Sequence, residues 1–313
     1  MGRPLEGLGN VIQPVMERIP PVFLDQLHHD HQRLAWMHAV LVLSKKIAIG
    51  SPKANDDLRN ALMLSGSLEN IYRDYFSMIP VDEEVARKVF EKLKKFSTEF
   101  DAVTCVDERY PELLRNYPGT PPIIYFQGDL ALASVDRAIG FVGTRELFDE
   151  SHRDHGRRVI HRLLGSGYKV VVSGLAEGSD TLGHLTAIQN GGRTIAVLGT
   201  PLDVHYPKSN AALQDEIAAR HLVVTEYPIG IGSFGSFFAN RNRTTVALSS
   251  GGIVVARAGN KSGTQHAIRI CLEQAKPVYV LENNIREPEY TWVVKNKERI
   301  KVIRENFDAG ASI

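Results

Sequence analysis

The chain has 313 residues, of which 43% are hydrophobic and 23% are charged, and its formal net charge is +1. This composition is typical of a globular protein with a sizeable core, and it excludes a polycation that binds nucleic acid over its whole surface. A nucleic-acid site would therefore need a local cluster of Lys and Arg. Cys105 and Cys271 lie far apart without a metal-ligand spacing, which favours a reducing, cytoplasmic location.

The first third of the chain is predicted to be a small helical domain. Residues 1–20 contain Gly and Pro and no evident signal peptide, and we expect them to form a loose arm. Helical spacing of apolar residues follows to about residue 96, and Asn55 can cap the second helix. The best apolar stretch, 35–43, is too short to span a membrane. The cluster around His28 and His31 could bind a metal, but without a third ligand at a suitable spacing a solvated helix face explains it better, so no metal site is predicted.

Short apolar runs alternate with helical stretches in the remainder of the chain. Such alternation is typical of βαβ units on a parallel sheet, so the sequence predicts an α/β fold. Strands are predicted at 121–126 as an edge strand, and at 138–142, 168–172, 194–198, 222–225, 252–256 and 277–281.

Two glycine turns follow successive predicted strands. Gly143, Thr144 and Arg145 form the first turn, and Ser173 and Gly174 open the second. Ligands of open α/β sheets lie past the carboxyl ends of the strands, and a helix N-terminus there is a natural anion site. We expect both turns to face phosphate, with the Arg145 guanidinium as a bidentate clamp.

A further group of candidate residues follows the strand at 222–225. Arg241, Asn242 and Arg243 open a predicted helix after a Phe-rich loop. One arginine is expected to contact a backbone phosphate and the other to be structural, paired with Glu226. Phe237 and its neighbouring phenylalanines either stack on bases or pack in the core.

The last candidate loop precedes the predicted helix at 264–274. Lys261, Ser262 and Gly263 place a cation and small residues at the start of that helix, and Arg257 would strengthen the patch.

Asp180 and His184 lie one helical turn apart and resemble an acid–base pair. We interpret Asp180 as a helix cap or first-turn charge and His184 as a packed, hydrogen-bonded group, because Ser173 lacks a nucleophile elbow.

Together these motifs resemble the DNA-processing protein A (DprA/Smf) family between about residues 107 and 281. The motifs that carry the resemblance are Tyr110-Pro111, Pro121-Pro122, Val142-Gly143-Thr144-Arg145, Ser173-Gly174-Leu175-Ala176, Gly191-Gly192, Tyr206-Pro207, Glu226-Tyr227-Pro228, Arg241-Asn242-Arg243 and Ser262-Gly263. One such motif is weak support, whereas their common order along the chain is strong.

The resemblance implies a fold and a set of partners. It implies an extended Rossmann-like domain at 101–285 that uses the turn at Arg145 as a phosphate site. Residues 1–100 would be the helical domain of many members, and 286–313 a C-terminal tail without their winged-helix domain. The family implies a homodimer that binds single-stranded DNA and hands it to a RecA-type recombinase during natural transformation.

Two other functions remain open from the sequence. Nucleotide phosphoribohydrolases of the lysine-decarboxylase-like (LOG) group have a similar fold, but Ala267 stands where their catalytic Glu would be. A sensor of a small nucleotide, for example in phage defence, would use the same turns. Neither a Walker lysine motif nor a G-x-G-x-x-G at the first turn is present, so no ATP or NAD site is predicted. With Ala267 in place of the catalytic acid, we predict a non-enzymatic protein without a cofactor.

Overall fold

The computed structural model describes residues 21–305. Within this range nine strands form a single mixed sheet. The strands are β1 Asp101–Thr104, β2 Ile123–Gly128, β3 Ala138–Val142, β4 Val170–Ser173, β5 Arg193–Val197, β6 Leu222–Thr225, β7 Ile253–Val255, β8 Val278–Leu281 and β9 Ile300–Ile303.

The helices of the described range precede the sheet or connect its strands. They are α1 Pro21–Leu24, α2 Asp30–Leu43, α3 Pro52–Ser65, α4 Leu68–Phe76, α5 Glu83–Lys95, α6 Glu112–Arg115, α7 Glu150–Gly165, α8 Ser179–Gln189, α9 Ala211–Arg220, α10 Gly235–Asn240, α11 Asn242–Leu248, α12 Thr264–Glu273, α13 Asn283–Arg286 and α14 Thr291–Lys295. In residues 21–305 no helix has both the length and the apolar character that a membrane span requires.

The strand order of the sheet is β1-β2-β6-β5-β4-β3-β7-β8-β9. All neighbours from β6 to β9 pair in parallel, whereas β2 is antiparallel to both β1 and β6. Successive strands from β3 to β6 are added on one side of β3, and β7 to β9 are added on its other side. The α/β fold with a parallel sheet is therefore confirmed, and its chain order reverses between β3 and β7.

Alternate residues of β3 explain why helices cover both faces of the sheet. Ile139 and Phe141 pack with the α7 and α8 side, in one core with Leu182. Val142 points to the other face and shares a core with Val246 of α11. Because successive strand residues face opposite sides, a strand covered on both faces becomes a continuous apolar run.

The helical region shares its core with the sheet. Trp36 of α2 and Tyr72 of α4 are fully buried in one apolar cluster with Tyr125 of β2. His38 Nδ1 lies 2.8 Å from the Tyr125 hydroxyl, and burial lowers the pKa of His38 to about 3, so its ring is neutral. The predicted N-terminal arm at residues 1–20 lies outside the described residues.

The expected cap of the second main helix was wrong. The N-cap of α3 is Ser51, whose hydroxyl accepts a hydrogen bond from Ala54 N at 3.1 Å. Asn55 instead donates to Gly119 O and to Glu226, both at 3.1 Å. Part of the predicted C-terminal tail forms α14 and β9, and β9 pairs in parallel with β8.

Candidate functional site

A cavity of about 410 Å³ lies at the carboxyl ends of β3 and β7, where the chain order reverses. Open α/β sheets bind their ligands at such a switch point. The lining residues are Val142, Gly143, Thr144, Arg145, Glu146, Gly174, Ala176, Asp180, Gly235, Phe238, Ala239, Arg241, Asn242, Thr245, Ser262, Gly263, Thr264, His266 and Ala267.

The first glycine turn forms one wall of this cavity. A Cβ at position 143 would lie 2.4 Å from Ser179 Oγ, so only glycine fits there. Thr144 N donates to Arg257 O at 2.7 Å, and the Thr144 hydroxyl accepts from Glu146 N at 3.1 Å. The main-chain N–H of Thr144 is therefore already used, contrary to the expectation that it faces a phosphate.

The helix that follows this turn begins later than expected. α7 starts at Glu150, and the Asp149 carboxylate caps it by accepting from Ser151 N at 2.8 Å. The start of α7 is thus already satisfied by an acidic side chain, which disfavours an anion there. The positive charge at the turn comes from the Arg145 side chain rather than from a helix end.

Arg145 is exposed at the cavity rim. Its guanidinium carbon lies 6.0 Å from the centroid of the Phe238 ring, a cation–π contact. Among residues 21–305 no carboxylate pairs with it. Its charge is consequently available to a ligand.

The aromatic side chain at this site is Phe238, not Phe237. Phe237 is buried and stacks on Tyr227, with ring centroids 3.9 Å apart and planes 9° apart. Of the two alternatives for Phe237, base stacking is therefore wrong and core packing is correct. Phe238 is partly exposed, packs against Gly199, and lies 4.9 Å from the ring of Tyr206. An aromatic pair therefore stands beside the Arg145 guanidinium.

Arg241 lines the cavity, but protein groups already bind its guanidinium. Its Nη1 donates to Val197 O at 2.8 Å, and its Nη2 lies 3.3 Å from Asp180 Oδ2. Both side chains are buried. Burial raises the pKa of Asp180, and the Arg241 charge opposes that shift. The structural arginine is thus Arg241, and its partner is Asp180 rather than Glu226.

The second glycine turn makes room for the guanidinium of this buried Arg241–Asp180 pair. A Cβ at Gly174 would lie 1.1 Å from Arg241 Nη1, so the guanidinium lies directly on the glycine backbone. The Ser173 hydroxyl is fully buried and donates to Phe141 O at 2.6 Å. Ser173 therefore supports the core and does not face phosphate as expected.

The remaining predicted cations do not reach the cavity. Arg243 lies beside the loop before β2, with Nη1 3.5 Å from Pro118 O. Lys261 is exposed outside the lining, although its neighbours Ser262 and Gly263 line the cavity at the start of α12. The structure brings together Gly143, Thr144, Arg145, Gly174, Arg241, Asn242, Ser262 and Gly263 of the predicted site.

The residues that resemble a hydrolytic triad are not arranged as one. His184 Nδ1 lies 2.6 Å from the Thr194 hydroxyl in the core. Burial lowers the pKa of His184 to about 3, so its ring is neutral and packed, as predicted.

Residues 21–305 contain no group of three or more His, Cys, Asp or Glu side chains that could hold a metal ion.

Some residues at this site were not predicted. Glu146, Thr245 and His266 line the cavity, and Tyr206 lies beside Phe238. Tyr206 belongs to a Tyr-Pro motif of the family resemblance, so that motif was the available signal. Glu146 follows Arg145 directly on the first turn, whereas Thr245 and His266 reach the cavity through the packing of α11 and α12, which no local spacing reveals.

Comparison with known proteins identifies the family. The model described as DNA recombination-mediator protein A matches residues 101–298. The DNA processing protein DprA of Streptococcus pneumoniae is 35% identical over 205 residues, which are 66% of this chain and 68% of that protein. Protein Smf of Synechocystis is 38% identical over 181 residues, 57% of this chain but only 45% of the relative.

Two solved structures share the fold. The structure of DNA processing protein A from Streptococcus pneumoniae has a TM-score of 0.62 and 28% identity, and the match covers 87% of this chain and 91% of that one. The protein from Helicobacter pylori has a TM-score of 0.57 and 27% identity, over 66% of this chain and 92% of that one. Since the family model covers more than half of the sequence, the chain belongs to the DNA recombination-mediator protein A family.

Proposed function

We propose that this protein binds single-stranded DNA in the cavity at the β3–β7 switch point. The observation that carries the proposal is the Arg145 guanidinium, which has no carboxylate partner in residues 21–305 and lies over Phe238. A phosphate can bind the cation while a base stacks on the aromatic pair of Phe238 and Tyr206. DNA processing protein A from Helicobacter pylori has a single-stranded DNA binding mode, and this relative supports the same ligand class here.

The form of the DNA follows from the aromatic side chains. Bases can stack on protein rings only where they are unpaired. Single strands are therefore expected to bind at least about tenfold more tightly than a duplex of the same length and sequence. A gel-shift titration of both forms with the whole protein measures this ratio. Equal affinities would contradict the proposal.

Arg145→Ala is expected to weaken single-strand binding by about 1.5–3 kcal/mol, the range for a charge-assisted hydrogen bond. One phosphate contact should be lost, so the slope of log affinity against log salt should become shallower by about 0.7. Arg243→Ala is the matched control because Arg243 contacts Pro118 O outside the cavity. Fluorescence anisotropy at several salt concentrations measures both effects, and equal losses in the two variants would place the strand elsewhere.

We propose binding without catalysis. The carboxylates that line the cavity are Glu146 on the exposed turn and Asp180, which is paired with Arg241. Ala267 also lines it, so the position of the LOG-type catalytic acid offers no carboxylate for proton transfer.

We also propose a role in recombination, in which the protein forms a homodimer and delivers the strand to a RecA-type recombinase. The role in recombination is supported by membership of the recombination-mediator protein A family. The homodimer and the recombinase partner rest on the resemblance to DprA/Smf proteins alone.

A further inference from the structure

A groove of about 610 Å³ adjoins the cavity on the side of α7 and α8. Arg145 and Glu146 line both the cavity and the groove, so the two spaces meet at the same turn. Leu182 and Leu185 of α8 contribute an apolar floor, and Thr186 and Gln189 contribute polar groups further along that helix.

The turn between β3 and α7 holds one aromatic ring out over this groove. Leu147 is buried in the core and anchors the turn. The next residue, Phe148, lines the groove and is 81% exposed, the largest exposed fraction of any Phe, Tyr or Trp side chain in residues 21–305. One anchored and one exposed apolar residue in succession thus leave the Phe148 ring largely open at the groove that Arg145 also lines.

The charges of the groove suit a base better than a phosphate. Arg157 lies 2.6 Å from Glu150 and 2.5 Å from Asp154, and Arg153 lies 3.6 Å from Glu150. Their guanidinium groups are thus largely neutralised by neighbouring carboxylates. An apolar floor, an exposed aromatic ring and arginines that are already paired match the flat, uncharged surface of a nucleobase. The carboxylates of Glu146 and Glu177, which also line the groove, disfavour a phosphate there.

We propose that this groove is a second subsite for the same single strand, in which Phe148 stacks on the base next to the phosphate held by Arg145. The proposal rests on the proposed DNA-binding function and adds the direction in which the strand leaves the cavity, over α8. Continuity through Arg145 identifies the occupant, because a strand whose phosphate binds there extends into the spaces that this side chain lines.

Phe148→Ala tests the subsite with an oligothymidine of about 15 nucleotides, which is long enough to fill both spaces. We expect the affinity to fall about five- to tenfold. The slope of log affinity against log salt concentration should not change, because no phosphate contact is removed. The control is Tyr75→Ala, which removes an exposed ring on α4 outside the groove and should leave the affinity unchanged.

Phe148→Trp provides a second readout. Trp36 and Trp292, the two tryptophans of the chain, are both buried. An indole at position 148 is therefore the exposed emitter, and stacking on a base should quench it as the oligonucleotide binds. Thymidine monophosphate, which can fill the phosphate site alone, should leave most of this emission unchanged.

The outcomes separate this inference from the function on which it rests. If the wild-type protein fails to bind the oligonucleotide, both are overturned. If the wild type binds and Phe148→Ala binds equally well, or the indole emission does not change, only the second subsite is overturned. The second subsite would also be overturned if Phe148→Ala had the DNA affinity of the wild type but a different molar mass in light scattering. Phe148 would then belong to a contact between copies of the chain.

Discussion

Replacing Arg241 by alanine is expected to lower the free energy of unfolding by about 3–5 kcal/mol, the cost of leaving one partner of a buried ion pair alone. The Asp180 carboxylate would lose its cation, and Val197 O would lose a 2.8 Å hydrogen bond. The guanidinium that packs on Gly174 would also leave a void at the floor of the cavity.

Urea denaturation at neutral pH measures this loss. Arg243→Ala is the control, since it deletes the same side chain two residues away, where the contact is a single 3.5 Å approach to Pro118 O. That control should cost less than about 1 kcal/mol. If Arg241→Ala instead kept full stability and lost only DNA affinity, Arg241 would be the arginine that contacts a phosphate, one of the two alternatives that the sequence left open.

The sequence predicted most of the sheet because its strands carry a strong local signal. β3, β4 and β5 are apolar runs rich in β-branched residues, and such runs next to glycine turns are read without tertiary information. β1 and β9 were missed because neither is an uninterrupted apolar run: β1 has only Ala102 and Val103 between polar ends, and Lys301 interrupts β9. β9 also has two exposed residues in succession, so it lacks the continuous apolar run of a buried strand.

The sequence predicted those residues of the candidate site that directly follow a strand, but not those whose position depends on the packing of a helix. Arg145 follows β3 directly, so its place at the edge of the sheet could be predicted from chain position. Phe237 and Phe238 differ by one residue on α10, and that step sends one ring into the core and the other into the cavity. A step of about 100° on a helix cannot be assigned from composition when both neighbours are apolar.

Buried polar pairs were the least predictable feature. Arg241 pairs with Asp180 across 61 residues, and Asn55 binds Glu226 across 171 residues. Such contacts depend on the final packing of distant elements. From the sequence, either Arg241 or Arg243 was expected to pair with Glu226, whereas in the structure Arg241 pairs with Asp180 and Glu226 accepts a hydrogen bond from Asn55.

Glu226 joins the end of β6 to the helical region and is buried. Its Oε2 accepts a hydrogen bond from Asn55 of α3 at 3.1 Å, and Asn55 also donates to Gly119 O. Burial raises the pKa of Glu226 to about 7, and the hydrogen bonds from Asn55 and Tyr227 only partly oppose this shift. The carboxyl group is therefore more easily protonated in the folded chain than in the unfolded chain.

The sign of the pH effect follows from that difference. Between about pH 4.5 and 7 the folded state holds a proton that the unfolded state has released, so the free energy of unfolding falls as the pH rises. Below about pH 4.5 both states are protonated, and the full contribution is retained. Above about pH 7 this contribution to the free energy of unfolding is fully lost. A rise of the Glu226 pKa from 4.5 to about 7 corresponds to a loss of about 3 kcal/mol.

Glu226→Gln should remove this loss, because the amide is always neutral and its oxygen can accept the hydrogen bond from Asn55. We expect the variant to be about 2–3 kcal/mol more stable than the wild type at pH 8, and nearly equal to it at pH 4.5. Chemical denaturation at both pH values measures the difference, with the exposed Glu91 changed to Gln as the control. A stability difference that is the same at both pH values would contradict this prediction, because it would show that the pKa of Glu226 is the same in the folded and the unfolded chain, with the hydrogen bonds from Asn55 and Tyr227 fully offsetting burial.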